Sequence, residues 1–287
     1  MKERTSAEQP VWNSARGTIP CSAPYGIMGI VNLTPDSFYA QSRSQDPDEA
    51  LQRSLAMLEN GADVIDLGAE SSRPGAAPVS PQTEIERLLP LIGKIRKAAP
   101  SAVISVDTYH AATAAAVLEE GADIINDISA CSFDPELLDV VAEYKPGYVL
   151  MHCQGTPGTM QLNPSYADVC CEVTIFFETM MNRLVSRGLP EENIILDPGI
   201  GFGKTMEHNL ALMRGTNPWE HLGRPSLMAC SMKSVFGDLL GLPTEERGTA
   251  TLVATALTHA AGYRWHRVHN PLEARQSLCL AQALLRG

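Results

Sequence analysis

Residues Ile194 to Lys204 read Ile-Ile-Leu-Asp-Pro-Gly-Ile-Gly-Phe-Gly-Lys. An apolar run stops at an acid, Asp197, and a proline and three glycines follow. The pattern predicts a short buried strand that delivers one carboxylate to its C-terminal end, then a loop whose backbone can come close to a neighbour or a ligand. Two nucleotide-binding readings fail. A phosphate loop needs glycine where Pro198 stands, and a dinucleotide fingerprint needs Gly-x-Gly-x-x-Gly, whereas Gly199, Gly201 and Gly203 are spaced two and two.

Outward from this stretch the same unit recurs. A short run rich in Ile, Val, Leu or Met ends at a polar residue, and a turn and a longer amphipathic segment follow. Eight runs fit: Ile27 to Asn32, Asp63 to Gly68, Val103 to Asp107, Asp123 to Asp127, Tyr148 to His152, Ile194 to Asp197, Ser226 to Ser231 and Tyr263 to His269. Between them, Glu84 to Ala98, the alanine-rich Ala111 to Glu119, and Pro271 to Leu285 carry helical periodicity. Gly61-Ala62-Asp63 and Gly121-Ala122-Asp123 read as a helix-ending glycine followed directly by a strand. The alternation predicts an α/β fold, a single-domain (β/α)8 TIM barrel around a buried parallel sheet, over residues 21–287. Residues 1–20, polar and without sustained period, are expected to form a loose, flexible N-terminal extension.

Composition narrows the function. The 287 residues carry 22 Lys and Arg against 33 Asp and Glu, a net charge of -11, which argues against nucleic acid or an anionic membrane as partner. Any anionic substrate must be met by a few local cations. The seven cysteines include no Cys-x-x-Cys pair and read as reduced thiols; with no apolar run long enough to span a bilayer, the expected location is cytoplasmic.

In such a barrel, functional side chains gather at the C-terminal ends of the strands. Here those ends supply Asn32, Asp66 with Glu70, Asp107, Asn126 with Asp127, His152, Asp197, Ser231 with Lys233, and Arg267 with His269. Any one of them is explained by a cap or a turn; the set is not. Asp107, Asn126 and Asp197 bring two carboxylates and an amide to one pocket, which suits a flat heterocycle with ring N–H and amino donors, while Lys233 either donates to its carbonyl or pairs with a carboxylate. Arg267 and His269, two apart on one strand, share a side; with Arg73 and Asn32 they make a polar, cationic corner for phosphate. His266 should face the opposite way. No spacing suggests a permanent transition metal, whereas Mg2+ shared with a diphosphate and held by Asn32 and waters fits the oxygen donors. The stretches Asn32 to Ser42 and Glu70 to Pro78 are rich in turn residues and read as either lids or passive surface loops. Lys204 reads as structural.

Taken together, these residues resemble the dihydropteroate synthase family of folate biosynthesis. The resemblance runs from Gly26 to Leu284. It is carried by Met28-Gly29-Ile30-Val31-Asn32-Leu33-Thr34-Pro35-Asp36-Ser37-Phe38, Glu70-Ser71-Ser72-Arg73-Pro74-Gly75, Ser105-Val106-Asp107-Thr108, Ile125-Asn126-Asp127-Ile128, the 197–204 stretch, and Arg267-Val268-His269. It implies that the pterin of 6-hydroxymethyl-7,8-dihydropterin diphosphate meets Asp107, Asn126, Asp197 and Lys233. The diphosphate would meet Asn32, Arg73, Arg267 and His269 with Mg2+, and p-aminobenzoate would enter beside Phe38, Ser72, Arg73, Pro74 and Ser231. Asn32, Asp107, Lys233, Arg267 and His269 would carry the chemistry, in a homodimer. The chain departs from the family pattern at Tyr39-Ala40-Gln41-Ser42, where Ser-Asp-Gly-Gly is usual, and at Met232, where arginine is usual. A non-catalytic or altered pterin-binding paralogue and a tetrahydrofolate-to-corrinoid methyltransferase on a similar barrel are the alternative readings.

Overall fold

The structure, a computed structural model, describes residues 11–21, 24–33, 46–70, 78–156 and 158–285. A two-stranded hairpin, β1 (Asn13–Ser14) and β2 (Gly17–Thr18), precedes the barrel. The eight barrel strands are β3 (Gly26–Asn32), β4 (Val64–Gly68), β5 (Val103–Asp107), β6 (Ile124–Asp127), β7 (Gly147–Met151), β8 (Ile194–Asp197), β9 (Leu227–Met228) and β10 (Trp265–Val268). Around them pack α1 (Pro47–Glu59), α2 (Pro81–Ala98), α3 (Ala111–Glu119), α4 (Leu137–Tyr144), α5 (Val169–Ser186), α6 (Met206–Met213), α7 (Ser234–Leu240), α8 (Gly248–Ala260) and α9 (Pro271–Leu285). All neighbouring barrel strands are parallel, in the order β8-β7-β6-β5-β4-β3-β10-β9. A parallel bridge between Leu196 and Ser226 joins the two ends and closes the barrel. The expected (β/α)8 architecture is the one observed.

The inward faces follow from the two-residue period of a strand. Met28, Val64, Val103, Ile124, Val149, Ile195, Leu227 and Trp265 form an apolar inner layer. Two residues further along each strand the same faces carry Asp66, Ser105, Asn126, Asp197 and Arg267, and two beyond that Asn32, Gly68, Asp107 and His269. The barrel interior thus turns from apolar to polar along its axis, which places the site at the C-terminal end.

Two expectations change. Residues 11–20 are not a loose extension: Trp12 and Ile19 are buried in the inner apolar layer, with Trp12 edge-on to Trp265 at 5.1 Å and its Nε1 donating to Asn193 O at 2.8 Å. Burying one indole and one isoleucine removes roughly 3 to 6 kcal/mol worth of apolar surface from water, enough to dock a short hairpin. Residues 1–10 lie outside the described residues. The run Ser226 to Ser231 keeps strand pairing only at Leu227–Met228 and the Ser226 bridge, and the chain then turns into α7.

The repeated Gly-Ala-Asp tripeptides have a repeated role. Gly61 and Gly121 take φ of +91° and +106° to end their helices. Asp63 Oδ2 then accepts from Ile27 N at 2.9 Å, and Asp123 Oδ2 from Ile104 N at 2.8 Å, so each acid ties its strand's start to the neighbouring strand.

Candidate functional site

At the polar end of the barrel, Arg267 of β10 reaches across to two carboxylates. Its Nε donates to Asp66 Oδ2 at 2.6 Å and its Nη2 to Asp107 Oδ2 at 3.0 Å. Asn126 Nδ2 donates to the same Asp66 oxygen at 3.1 Å. Burial works against the charge on Arg267, but Asp66 and Asp107 outweigh it and hold the guanidinium above its ordinary value. Asp107 is pushed up to about 7 by burial, with Arg267 pulling the other way and Asp66 and Glu84 adding to the rise. Lys233, just after β9, is brought down to about 8 by burial and by Arg267, while Asp197 and Asp107 favour its charged form. Its ammonium stands 4.3 Å from the centre of the Phe202 ring. Asp66, Asp107, Asn126, Asp197, Lys233 and Arg267, from six different strands or their loops, therefore share one electrostatic environment.

The loop after β8 explains the opening stretch. Asp197 Oδ1 accepts from Gly199 N at 2.7 Å; burial raises its pKa and that hydrogen bond opposes the rise. Gly199 and Gly203 have φ of +66° and +63°, and a β-carbon on either would meet the carbonyl oxygen of His152 or Gln154 at 2.0 or 2.3 Å. Glycine is required at both. The Lys204 ammonium is buried against His152 Nδ1 at 2.9 Å, Phe202 O at 3.0 Å and His152 O at 3.3 Å. It clamps the loops after β7 and β8 together and is structural, as expected. His152 is held neutral, down to about 3, by burial and by this lysine.

On the other side of the mouth, Ser231 Oγ lies 3.0 Å from His269 Nδ1 and accepts from His269 N at 3.4 Å, so residues expected in two neighbouring subsites are in contact. Asn32 pairs with Gly68, and Gly68 with Asp107, in register. The missing side chain at Gly68 matters: a β-carbon there would stand 3.2 Å from Asn32 Oδ1 and 4.0 Å from Asp107 Oδ2.

Some strand-end residues turn away. Asp127 accepts from Ser129 N, Ser129 Oγ, Cys131 N and Tyr148 Oη and braces the loop after β6. Glu70 accepts from Tyr109 Oη at 2.9 Å. Glu70, Glu84 and His110 bring three ligand-type atoms within 4.8 Å of one another. Glu84 Oε2 already serves Thr108 Oγ1, Thr113 Oγ1 and His110 Nδ1, so the group fastens α2 to the end of β5. Phe38, Ser72, Arg73 and Pro74 lie outside the described residues. Phe202 and the tethering role of Asp66 were not among the expected site features. Phe202 was hidden in a glycine-rich loop, and an acid on a strand gives no local sign of which distant residue it serves.

Comparison with known proteins points one way. Residues 28–269 match the model of the pterin binding enzyme family. The chain is 40% identical over 262 residues to a dihydropteroate synthase of Synechocystis sp., covering 91% of this chain and 90% of that one. Among solved structures, it resembles Yersinia pestis dihydropteroate synthase in complex with a sulfonamide drug, at TM-score 0.91 and 35% identity over 96% of this chain and 100% of that one. It also resembles the Burkholderia cenocepacia dihydropteroate synthase complexed with 7,8-dihydropteroate, at TM-score 0.84 and 34% identity over 97% of each chain.

Proposed function

The chain belongs to the pterin-binding enzyme family and carries dihydropteroate synthase activity, and on that premise we propose how its side chains divide the work. The reaction condenses 6-hydroxymethyl-7,8-dihydropterin diphosphate with p-aminobenzoate to give 7,8-dihydropteroate and pyrophosphate, a step of folate biosynthesis. The bond from the pterin methylene to the diphosphate oxygen breaks, a bond to the arylamine nitrogen forms, and that nitrogen gives up a proton.

The single observation that carries the site assignment is the polar layer itself, in which Asp107, Asn126, Asp197, Lys233 and Arg267 converge from five strands. The pterin lies against it. Carboxylates only accept, so the Asp107 and Asp197 oxygens take the ring N–H and amino groups, and Lys233 donates to the ring carbonyl. Arg267, fixed between Asp66 and Asp107, borders the leaving group. His269 and Asn32 complete the diphosphate corner, with Arg73 added by family resemblance. Ser231, held against His269, borders p-aminobenzoate; Phe38, Ser72, Arg73 and Pro74 join it on the same resemblance, and a sulfonamide should compete there. Departure of pyrophosphate leaves positive charge at the methylene, which the buried carboxylates favour in a site that excludes water.

Mg2+ suits the donors present. Asn32 offers a hard amide oxygen close to Asp107 across Gly68, and Mg2+ needs few protein ligands when substrate phosphates and waters supply the rest. When bound it would neutralise diphosphate charge, with Asn32 holding it. The chain is assigned to the cytoplasm, in keeping with its seven free thiols; among the described residues no helix is long and apolar enough to cross a membrane. A homodimer is supported by the neighbouring helices α8 and α9, which expose Val253, Leu257, Leu280 and Leu284. Incubation with both substrates and Mg2+ tests the function: release of pyrophosphate that depends on p-aminobenzoate supports it, and none above background overturns it.

A further inference from the structure

Asp66 is wholly buried on β4, inside the barrel, one layer below Asn32 and Asp107. Two residues earlier the same strand face carries Val64, so packing alone does not call for a charge at this depth. A buried carboxylate costs several kcal/mol unless it is well paired. Among the described residues Asp66 is paired in one direction: a single oxygen, Oδ2, receives both Arg267 Nε at 2.6 Å and Asn126 Nδ2 at 3.1 Å, while Oδ1 is buried and has no hydrogen-bond partner among them. Its hydrogen bonding therefore goes to two residues of the pterin pocket, from β10 and β6.

We infer that Asp66 is the positioning residue of the pterin pocket, holding the Arg267 guanidinium in place and turning the Asn126 amide so that its oxygen faces the ligand. The inference rests on the assignment of pterin to this pocket. The orientation follows from donor and acceptor chemistry. A carboxylate has no proton to give, so the Asn126 atom that faces it is the NH2 group, and Oδ1 points the other way. An amide that offers its oxygen selects a ligand edge rich in N–H groups, the same preference as Asp107 and Asp197. For Arg267, the two anchors, Nε to Asp66 and Nη2 to Asp107, fix the guanidinium plane at two corners. With asparagine in place of Asp66, both constraints loosen: the Asn126 amide is free to flip, and the guanidinium keeps one charged anchor.

Three proteins are compared: wild type, Asp66→Asn, and Ser105→Ala. Ser105 pairs with Asp66 in register on the same inward face and serves as the control for disturbing the layer. Calorimetric titration with 6-hydroxymethylpterin should show at least about a tenfold loss of affinity in Asp66→Asn, the lower end of what removing a hydrogen bond to a charged group costs, and less than about a twofold change in Ser105→Ala. In turnover, KM for the pterin diphosphate should rise while KM for p-aminobenzoate stays within about twofold, a split that general loosening of the barrel would not produce. Pterin affinity unchanged in Asp66→Asn, or equal losses in both variants, overturns the inference. Failure of the wild type to bind the pterin overturns the pocket assignment instead. Should Asp66→Asn not fold, the wild type carries the test. The Arg267 Nε–H, assigned by its disappearance in Arg267→Lys, should exchange with solvent at least about tenfold slower than in free arginine, and exchange at the free rate overturns the inference.

Discussion

Gly199 sits so close to His152 that a β-carbon on the glycine would stand 2.0 Å from the histidine's carbonyl oxygen. The contact joins the loops after β7 and β8 directly beside Asp197, whose Oδ1 the Gly199 N–H holds. Gly199→Ala must move one loop and adopt a left-handed backbone, which alone costs roughly 1 to 2 kcal/mol. Its denaturant midpoint should correspond to a loss of about 2 kcal/mol or more, with weakened pterin binding; wild-type values for both would show that the loop yields freely.

The site should titrate in two directions. Asp107, pushed up to about 7 by burial, must be ionised to accept a pterin N–H, so affinity falls as pH drops through that value. Lys233, brought down to about 8 by burial, must be protonated to donate, so affinity falls again as pH rises past it. Pterin affinity between pH 5.5 and 9.5 should be bell-shaped with limbs near 7 and 8. A flat profile would remove these two groups from the contact.

His266 faces out of the barrel, as its spacing from His269 requires, and lies buried against His259 with ring centres 5.9 Å apart. Burial holds it neutral, down to about 3, and His152 behaves alike. An unfolded histidine takes a proton below about 6.5. Between that value and 3 the unfolded chain binds protons that the folded chain refuses, so the stability is whole above 6.5 and lost as pH falls. Urea midpoints measured at pH 7.5 and 5 should drop by the equivalent of about 1.4 kcal/mol per pH unit below 6.5 for each histidine, and His266→Phe should flatten the slope.

Leu257 and Leu280, on α8 and α9, are 64% and 61% exposed, which marks them as candidates for burial against a second copy. Sedimentation should give twice the chain mass for the wild type and the chain mass for Leu257→Glu/Leu280→Glu. A monomeric wild type would rule the dimer out.

Much of the barrel was legible because its determinants are local. Apolar runs ending at polar residues gave the strands, the Gly-Ala-Asp turns marked where helices stop, and α3 and α9 match their expected bounds, Ala111–Glu119 and Pro271–Leu285. That Arg267 and His269 share one side of their strand followed from alternation alone, whereas the pairing of Arg267 with Asp66 and Asp107 did not. What was not legible depends on the register between distant segments. Trp12 and Ile19 show no periodicity and become core only because the lower mouth of the barrel accepts them. Asp66 serves Arg267, 201 residues away, and Phe202 meets Lys233 only after β8 and β9 are joined.

On the proposed assignment, Asp197 and its neighbours hold the pterin ring. Calorimetric titration of wild type and Asp197→Asn with 6-hydroxymethylpterin tests it most directly. The substitution keeps the shape and removes the charge, and it should weaken binding by roughly 2 to 5 kcal/mol, the cost of breaking a buried charged hydrogen bond. Equal affinities for the two proteins would contradict the claim.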